Sequence, residues 1–151
     1  MTERSVIHHT FTIERRYPTP VTSVFAAWSD PRTKRRWFTG DQGEHSLDFR
    51  VGGIERTRRE GDNGKTLAFE SRYLDIVPDQ RIVYVSTLSA DDRLATTSIT
   101  SVELHAEGDR TVLQLTESAV FLDNEEQPAW REQGTGDWLT KLGNELRIAI
   151  S

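Results

Sequence analysis

The chain has 151 residues, of which 35% are hydrophobic and 28% charged, and this length predicts a single domain over residues 1–151. Its 19 basic and 24 acidic residues give a net charge of −5, which disfavours nucleic acid and anionic membranes as partners. The absence of cysteine excludes disulfides and thiolate chemistry. No apolar run is long enough to span a membrane and no signal-peptide pattern is seen, so a cytoplasmic location is expected.

The beginning of the chain predicts a strand and then a short helix. Residues 6–17 are rich in β-branched and aromatic residues with apolar side chains on one face, which is typical of a strand. Residues 20–29 place apolar side chains at helical spacing, which predicts a short amphipathic helix. Thr19 is the expected N-cap of this helix, and Pro20 its first residue.

A second short helix is expected over residues 33–37, after the break at Asp30-Pro31. Its aromatic residues Trp37 and Phe38 would turn inward. The basic residues around it predict a solvated helix face or an anion-attracting rim at a pocket mouth: Arg32, Lys34, Arg35 and Arg36.

The middle of the chain predicts a meander of antiparallel strands, because alternating segments are joined by short turns that contain Gly, Asp or Pro. The predicted strands cover residues 44–51, 54–59, 66–77, 80–89, 95–107 and 110–119. Residues 120–133 form an acidic connection, and Gly134 and Gly136 then give a flexible start to the last helix.

Residues 134–150 predict the longest helix, with an apolar stripe formed by Trp138, Leu139, Leu142, Leu146 and Ile150. A helix of about 16 residues spans only about 24 Å, so it cannot cover a strongly twisted sheet alone. The order of elements therefore predicts an α+β fold. We expect a curved antiparallel sheet of six to seven strands that wraps around the long C-terminal helix, with an apolar cavity between them.

Four segments carry a resemblance to a known family: DFRVGGIER (48–56), YLDIVPDQRIVY (73–84), LTESAVFLD (115–123) and REQGTGDWLTKLGNEL (131–146). With the segment TPVTSVFAAWSDPRTKRRWF near the start, the chain resembles the START-like superfamily, which includes the birch-pollen allergen and polyketide cyclases. Within it, the chain is similar to homologues of the heat-shock-protein-90 ATPase activator. The resemblance implies a helix-grip fold with a hydrophobic ligand cavity, and functions that range from ligand carriage to cyclase, resistance or co-chaperone activity.

The chain departs from the family pattern at two places. Ile54-Glu55-Arg56 stands where the family tends to have an aromatic residue after the double glycine. Glu117 stands where relatives often have histidine. Both departures leave the identity of the ligand open.

Large side chains are the candidates for the wall of the cavity, although plain core packing explains the same residues. The wall candidates are Trp28, Trp37, Phe38, Phe49, Phe69, Trp130, Trp138 and Leu142. Tyr73 and Tyr84 are expected to offer hydroxyl groups to a ligand, or else to pack in the core. Arg56 is expected either to meet an acidic group inside the sheet or to lie on a solvated edge.

Glu117 is the candidate catalytic residue, because it shares a strand face with Leu113 and Leu115. Burial among apolar side chains would suit this carboxyl group to acid/base work. The alternative is a structural ion pair with Arg56 or Arg72, or exposure at the end of the strand.

No metal site or cofactor is expected. His8 and His9 are adjacent in a strand and point to opposite faces, while His45 and His105 lie in other elements as surface or edge residues. The sequence has no nucleophile elbow and no glycine-rich phosphate loop.

Three functions follow as hypotheses. The first is a binding protein for a small apolar or aromatic molecule, and the second is a cyclase-like or hydrolase-like enzyme that uses Glu117. The third, which only the resemblance suggests, is a module that contacts a chaperone ATPase. A homodimer paired through an edge strand is a further partner candidate.

Overall fold

A computed structural model describes residues 4–41, 43–61 and 63–150, with the side chains of 148–150 left out. Seven antiparallel strands form one sheet in the order β1-β7-β6-β5-β4-β3-β2. The strands are β1 (Val6–Tyr17), β2 (Glu44–Leu47), β3 (Ile54–Glu60), β4 (Thr66–Val77), β5 (Arg81–Ala90), β6 (Arg93–Glu107) and β7 (Arg110–Leu122). The helices are α1 (Val21–Ser29), α2 (Pro31–Lys34) and α3 (Pro128–Ile150), and a π-helical turn covers Arg35–Thr39. This is the predicted α+β helix-grip arrangement.

The first predicted helix is confirmed, but its cap is not. Pro20 occupies the N-cap position with extended backbone, and its carbonyl accepts from the amides of Ser23 and Val24. Thr19 is buried, and its hydroxyl group caps nothing because the helix begins at Val21, one residue later than expected.

Strand β2 is shorter than predicted. It ends at Leu47 because the next residues turn tightly, with Arg50 N–H donating to the Asp48 carbonyl and Gly53 N–H to the Arg50 carbonyl. A side chain at Gly53 would overlap the Asp48 carbonyl oxygen, so this turn requires glycine there. As a result Val51 is exposed, rather than half-buried in a strand.

The last helix begins at Pro128, six residues before the predicted start, and its 23 residues span about 34 Å. Gly134 and Gly136 therefore lie inside the helix and are not a flexible start. The earlier start also leaves Trp130 exposed to solvent, so it is not a pocket-wall residue. No helix among the described residues is long and apolar enough to cross a membrane.

Helix α3 packs on one face of the sheet, here called the inner face. Its most extensive contacts are with the π-helical turn, β1 and α1. The Tyr17 hydroxyl of β1 donates to the Leu139 carbonyl of α3 at 2.8 Å. Because β1 pairs with β7 along its whole length, this contact also positions α3 over the inner face of β7.

Candidate ligand-binding site

A row of small side chains crosses the inner face of the sheet. Ser71, Ser86, Ser98 and Ala119 are directly opposite one another on four adjacent strands, and all four are buried. The Ser71 and Ser86 hydroxyl oxygens are 2.7 Å apart and hydrogen-bonded. We call these four residues the small-residue row. Short side chains in register fill less volume at this row than the larger residues on either side of it.

Larger side chains border the small-residue row on both sides. One border is Tyr73, Tyr84, Thr100 and Glu117, and the other is Phe69, Leu88, Thr96 and Phe121. Phe69 and Leu88 are only partly buried, although their side chains point inward. This end of β4 and β5 is therefore partly exposed to solvent on the inner face.

Glu117 is buried on the inner face, and both of its carboxylate oxygens accept hydrogen bonds. Arg131 of α3 donates from Nε to Oε2 at 2.9 Å, and the Thr100 hydroxyl donates to Oε1 at 2.9 Å. Arg131 also donates to Ser98 Oγ at 3.2 Å and to Glu126 Oε1 at 3.2 Å. We call Ser98, Thr100, Glu117, Glu126 and Arg131 the arginine cluster.

The expected surroundings of Glu117 are therefore wrong in one respect. The residue is buried on the inner face, as the strand pattern predicts, but it is not a lone carboxyl group among apolar side chains. Its ion-pair partner is Arg131 rather than Arg56 or Arg72. Burial opposes the charge of Arg131, but Glu117 and Glu126 outweigh this effect and raise the pKa of the guanidinium above its ordinary value.

The sequence prediction leaves Arg131 outside the last helix, because it places the start of that helix at residue 134 rather than at Pro128. Counted from Pro128, the buried stripe of α3 includes Arg131, Thr135, Leu139 and Leu142 at helical spacing. The signal in the sequence was thus the continuation of this stripe toward the N-terminus of α3.

Four of the predicted wall residues form an aromatic cluster near the π-helical turn. They are Trp28, Trp37, Phe38 and Trp138. Neighbouring ring centroids within it are 5.0–5.9 Å apart. Phe69 reaches this cluster through Phe38, at 6.1 Å. Trp28 and Trp37 are fully buried, so only Phe38, Phe69 and Trp138 have surface left for another molecule.

The remaining predicted site residues are divided between the core and the surface. Phe49, Tyr73 and Tyr84 form a second aromatic group, with ring centroids 5.0 and 5.7 Å apart. Leu142 is fully buried in the core. Arg56 points outward and pairs with the exposed Glu70 at 3.0 Å, so the solvated alternative is confirmed and the contact with an acidic group inside the sheet is not.

A second buried polar cluster surrounds Glu55. Lys34 Nζ lies 2.9 Å from Oε1 of Glu55, Tyr73 donates its hydroxyl hydrogen to the same oxygen at 2.8 Å, and His45 Nε2 is 2.7 Å from Oε2. We call Lys34, His45, Glu55 and Tyr73 the Glu55 cluster. Lys34 and His45 were expected on the surface, yet the side chain of each is only 2% exposed.

Aromatic faces explain how the Lys34 ammonium group is accommodated inside the protein. Nζ lies 4.5–5.4 Å from the ring centroids of Phe38, Trp28 and Trp37. Burial lowers the pKa of Lys34, against the opposing effect of Glu55. The pKa of Glu55 is lowered to about 2: burial would raise it, but Lys34 and the hydrogen bonds from His45, Lys34 and Tyr73 outweigh burial.

Two open surface depressions lie away from these clusters. One, of about 690 Å³, lies between β1 and α3 and is lined by residues such as Thr12, Arg15 and Asp137. The other, of about 370 Å³, lies beside the turn after β2. In the described part of the chain, no group of three or more His, Asp or Glu side chains could hold a metal ion.

Comparison with known proteins gives a family and a fold. The family model described as Activator of Hsp90 ATPase homolog 1-like protein matches residues 18–147. The protein Mll3558 of Rhizobium loti is 44% identical, with 93% of this chain and 99% of that chain covered and a TM-score of 0.88. An uncharacterised protein of Rhizobium leguminosarum is 38% identical, with 97% and 99% covered and a TM-score of 0.92.

A more distant similarity concerns the fold alone. CalU16 of Micromonospora echinospora is 24% identical, with 97% of this chain and 86% of that chain covered and a TM-score of 0.66. No curated protein matches the chain. The family model covers residues 18–147, which is most of the chain, so the chain belongs to the Activator of Hsp90 ATPase homolog 1-like family.

Proposed function

We propose that this protein binds a small apolar or aromatic molecule between the inner face of the sheet and α3. The observation that carries the proposal is the small-residue row beside the buried ion pair of Glu117 and Arg131. Stability alone does not require this arrangement, because well-packed apolar side chains stabilise a core at least as well as a buried ion pair. A ligand that lies over the small-residue row and contacts the ion pair would explain why short side chains and buried polar groups occur together here.

The proposed site has the composition of a small-molecule pocket. Such pockets are mostly apolar and contain a few polar groups that orient the ligand. Here Phe38, Phe69 and Trp138 supply partly buried aromatic surface, and the arginine cluster supplies the polar groups. The open end at Phe69 and Leu88 provides an entrance.

Binding of naphthalene-2-methanol, measured by isothermal titration calorimetry, tests the proposal. This neutral probe has an aromatic body and one hydroxyl group. Ser86→Leu fills the small-residue row and should weaken binding at least tenfold. Thr87→Leu is the matched control, because it places the same side chain on the same strand but on the exposed outer face, and it should bind like the unaltered chain.

Circular dichroism establishes that both variants are folded before their affinities are compared. The absence of binding to the unaltered chain would contradict the proposal. Equal affinities for folded Ser86→Leu and Thr87→Leu would also contradict it, since the probe would then bind elsewhere.

The family match favours a second candidate function, contact with a chaperone ATPase of the Hsp90 type. Its test is the ATPase rate of purified Hsp90 with and without this chain. A rate that rises in proportion to the amount of chain bound would support this function, and an unchanged rate at saturating chain would contradict it.

A further inference from the structure

The arginine cluster contains more negative than positive charge. Glu117 and Glu126 both face the single guanidinium of Arg131, and their side chains are 6% and 15% exposed. Three other charged side chains among the described residues are no more exposed than Glu126: Lys34 and Glu55, which offset each other at 2.9 Å, and Glu125, which pairs with Lys65 and Arg93. The arginine cluster itself therefore holds two carboxylates and one cation.

The hydrogen bonds of the cluster show the same imbalance. Arg131 uses all three of its nitrogen atoms as donors within the cluster. Glu126 accepts from Arg131 and from Thr96 on Oε1 alone, and no described residue donates to its Oε2. A carboxylate can accept about four hydrogen bonds, so the free capacity is mainly that of acceptors.

The nearby aromatic faces also favour positive charge. The Arg131 guanidinium carbon lies 5.3 Å from the Phe69 ring centroid.

Two cations near the arginine cluster do not cancel its excess negative charge. Lys65 and Arg93 share Glu125, and their side chains are 42% and 64% exposed, so water and salt screen them.

We infer that the ligand is an aromatic or apolar molecule that carries an ammonium group or a similar cationic hydrogen-bond donor. The donor would lie against Glu126 and the free lone pairs of Glu117, and the apolar body would lie over the small-residue row beside Phe69. A carboxylate of the same shape would face two like charges and be rejected. This inference rests on the proposed function, because it concerns the same site.

Three probes of nearly equal size separate the inference from the proposed function. They are naphthalen-2-ylmethylammonium, naphthalene-2-methanol and naphthalene-2-carboxylate, each titrated at pH 7 into the unaltered chain. The ammonium probe should bind at least tenfold more tightly than the carboxylate, with the alcohol between them. This comparison needs no variant and so does not depend on the stability of one.

Glu126→Gln then tests whether the negative charge of Glu126 causes the preference for the ammonium probe over the carboxylate probe. It keeps the Glu117–Arg131 pair and should lower the ratio of ammonium to carboxylate affinity about tenfold, or about 1.4 kcal/mol. Affinity for the neutral alcohol should fall less than affinity for the ammonium probe. Glu132→Gln removes an exposed carboxylate from the same helix and should leave the ratio unchanged.

The outcomes are distinct. If no probe binds, the proposed function fails and the inference fails with it. If the alcohol binds but the carboxylate equals or exceeds the ammonium, the site stands and the inference is overturned. A strong ammonium preference that persists in Glu126→Gln would also overturn it, because the excess charge would not be its source.

Discussion

Two buried carboxylates are each bound by a cation from a helix: Glu55 by Lys34, and Glu117 by Arg131. The two pairs differ in their surroundings. Lys34 and Glu55 are enclosed by aromatic rings and by Tyr73 and His45, so no group of this pair is left for a ligand. The pair of Glu117 and Arg131 borders the small-residue row, and under the proposed function it would contact the ligand.

Removal of one partner of the Lys34–Glu55 pair should destabilise the protein strongly, because the remaining charge stays buried without compensation. We expect Lys34→Met and Glu55→Gln each to cost about 3–5 kcal/mol of unfolding free energy, measured by urea denaturation. The double variant should cost clearly less than the sum of the two.

An exposed pair provides the control for this cycle. Arg50 and Asp48 are 2.9 Å apart, with side chains 70% and 53% exposed. Arg50→Met and Asp48→Asn should each cost no more than about 1 kcal/mol. Strict additivity of the Lys34 and Glu55 substitutions would refute the idea that the two charges depend on each other.

The low pKa of Glu55 makes stability depend on pH. Its folded-state pKa of about 2 lies below the ordinary 4.5, so its stabilising effect is complete above about pH 4.5 and is lost as the pH falls toward 2. The loss corresponds to about 3 kcal/mol. Urea denaturation at a series of pH values should show this decrease in the unaltered chain and a smaller decrease in Glu55→Gln. Equal decreases in both would rule out Glu55 as a source.

At the scale of elements, α3 determines which side chains reach the inner face. Its start at Pro128 adds the turn that carries Arg131, and it places Gly134 within a regular, exposed helical segment. A Cβ atom at Gly134 would meet nothing within 4 Å, whereas one at Gly143 would lie 3.2 Å from the Tyr17 ring.

Gly134→Ala should therefore stabilise the protein by about 1 kcal/mol, because alanine loses less backbone entropy than glycine in a helix. The midpoint of thermal unfolding should rise by about 2–4 °C. Gly143→Ala is the matched control in the same helix and should give less stabilisation or a loss, because Tyr17 is buried and hydrogen-bonded to Leu139. No gain for Gly134→Ala would mean that residue 134 is not within a stable helix.

The sequence predicts most elements because their signals are local. Strand β1 and the Pro78-Asp79 turn between β4 and β5 follow from alternation and turn residues, and the structure confirms them. The predicted start of α3 is too late because Gly134 and Gly136 have low helix propensity, which tertiary packing overrides in the folded protein. Lys34 was misplaced because nothing near it in sequence reveals Glu55, its partner across the fold.

At the scale of the whole molecule, the candidate site depends on strand register. Ser71, Ser86 and Ser98 become one row only when β4, β5 and β6 pair with the observed offsets, which include an irregularity at Tyr73/Asp75 and another at Leu88/Ser89. Single-strand patterns predict which face a residue occupies but not which residues stand opposite it. This explains why Glu117 was recognised from the sequence while the small-residue row was not.

The topology also joins the two ends of the chain. Strand β1 pairs with β7 from Val6 opposite Leu122 to Tyr17 opposite Thr111, and α3 packs on β1 and on the π-helical turn. Separation of β1 would therefore expose β7 and release α3, so no part of the described chain has a core of its own. We propose that residues 1–151 unfold as one cooperative unit.

Urea unfolding followed by two spectroscopic signals tests whether the chain unfolds as one cooperative unit. In Trp130→Phe, which removes the exposed tryptophan, fluorescence reports the aromatic cluster through Trp28, Trp37 and Trp138, while far-ultraviolet circular dichroism reports the sheet and helices. The midpoints and slopes of the two transitions should coincide, because the cluster is held between α1, α3 and the π-helical turn, and α3 packs on β1. The unaltered chain serves as the control, and its midpoint by circular dichroism should match that of the variant. A fluorescence transition that clearly precedes the other would show that the aromatic end opens independently, and the single-unit proposal would then be rejected.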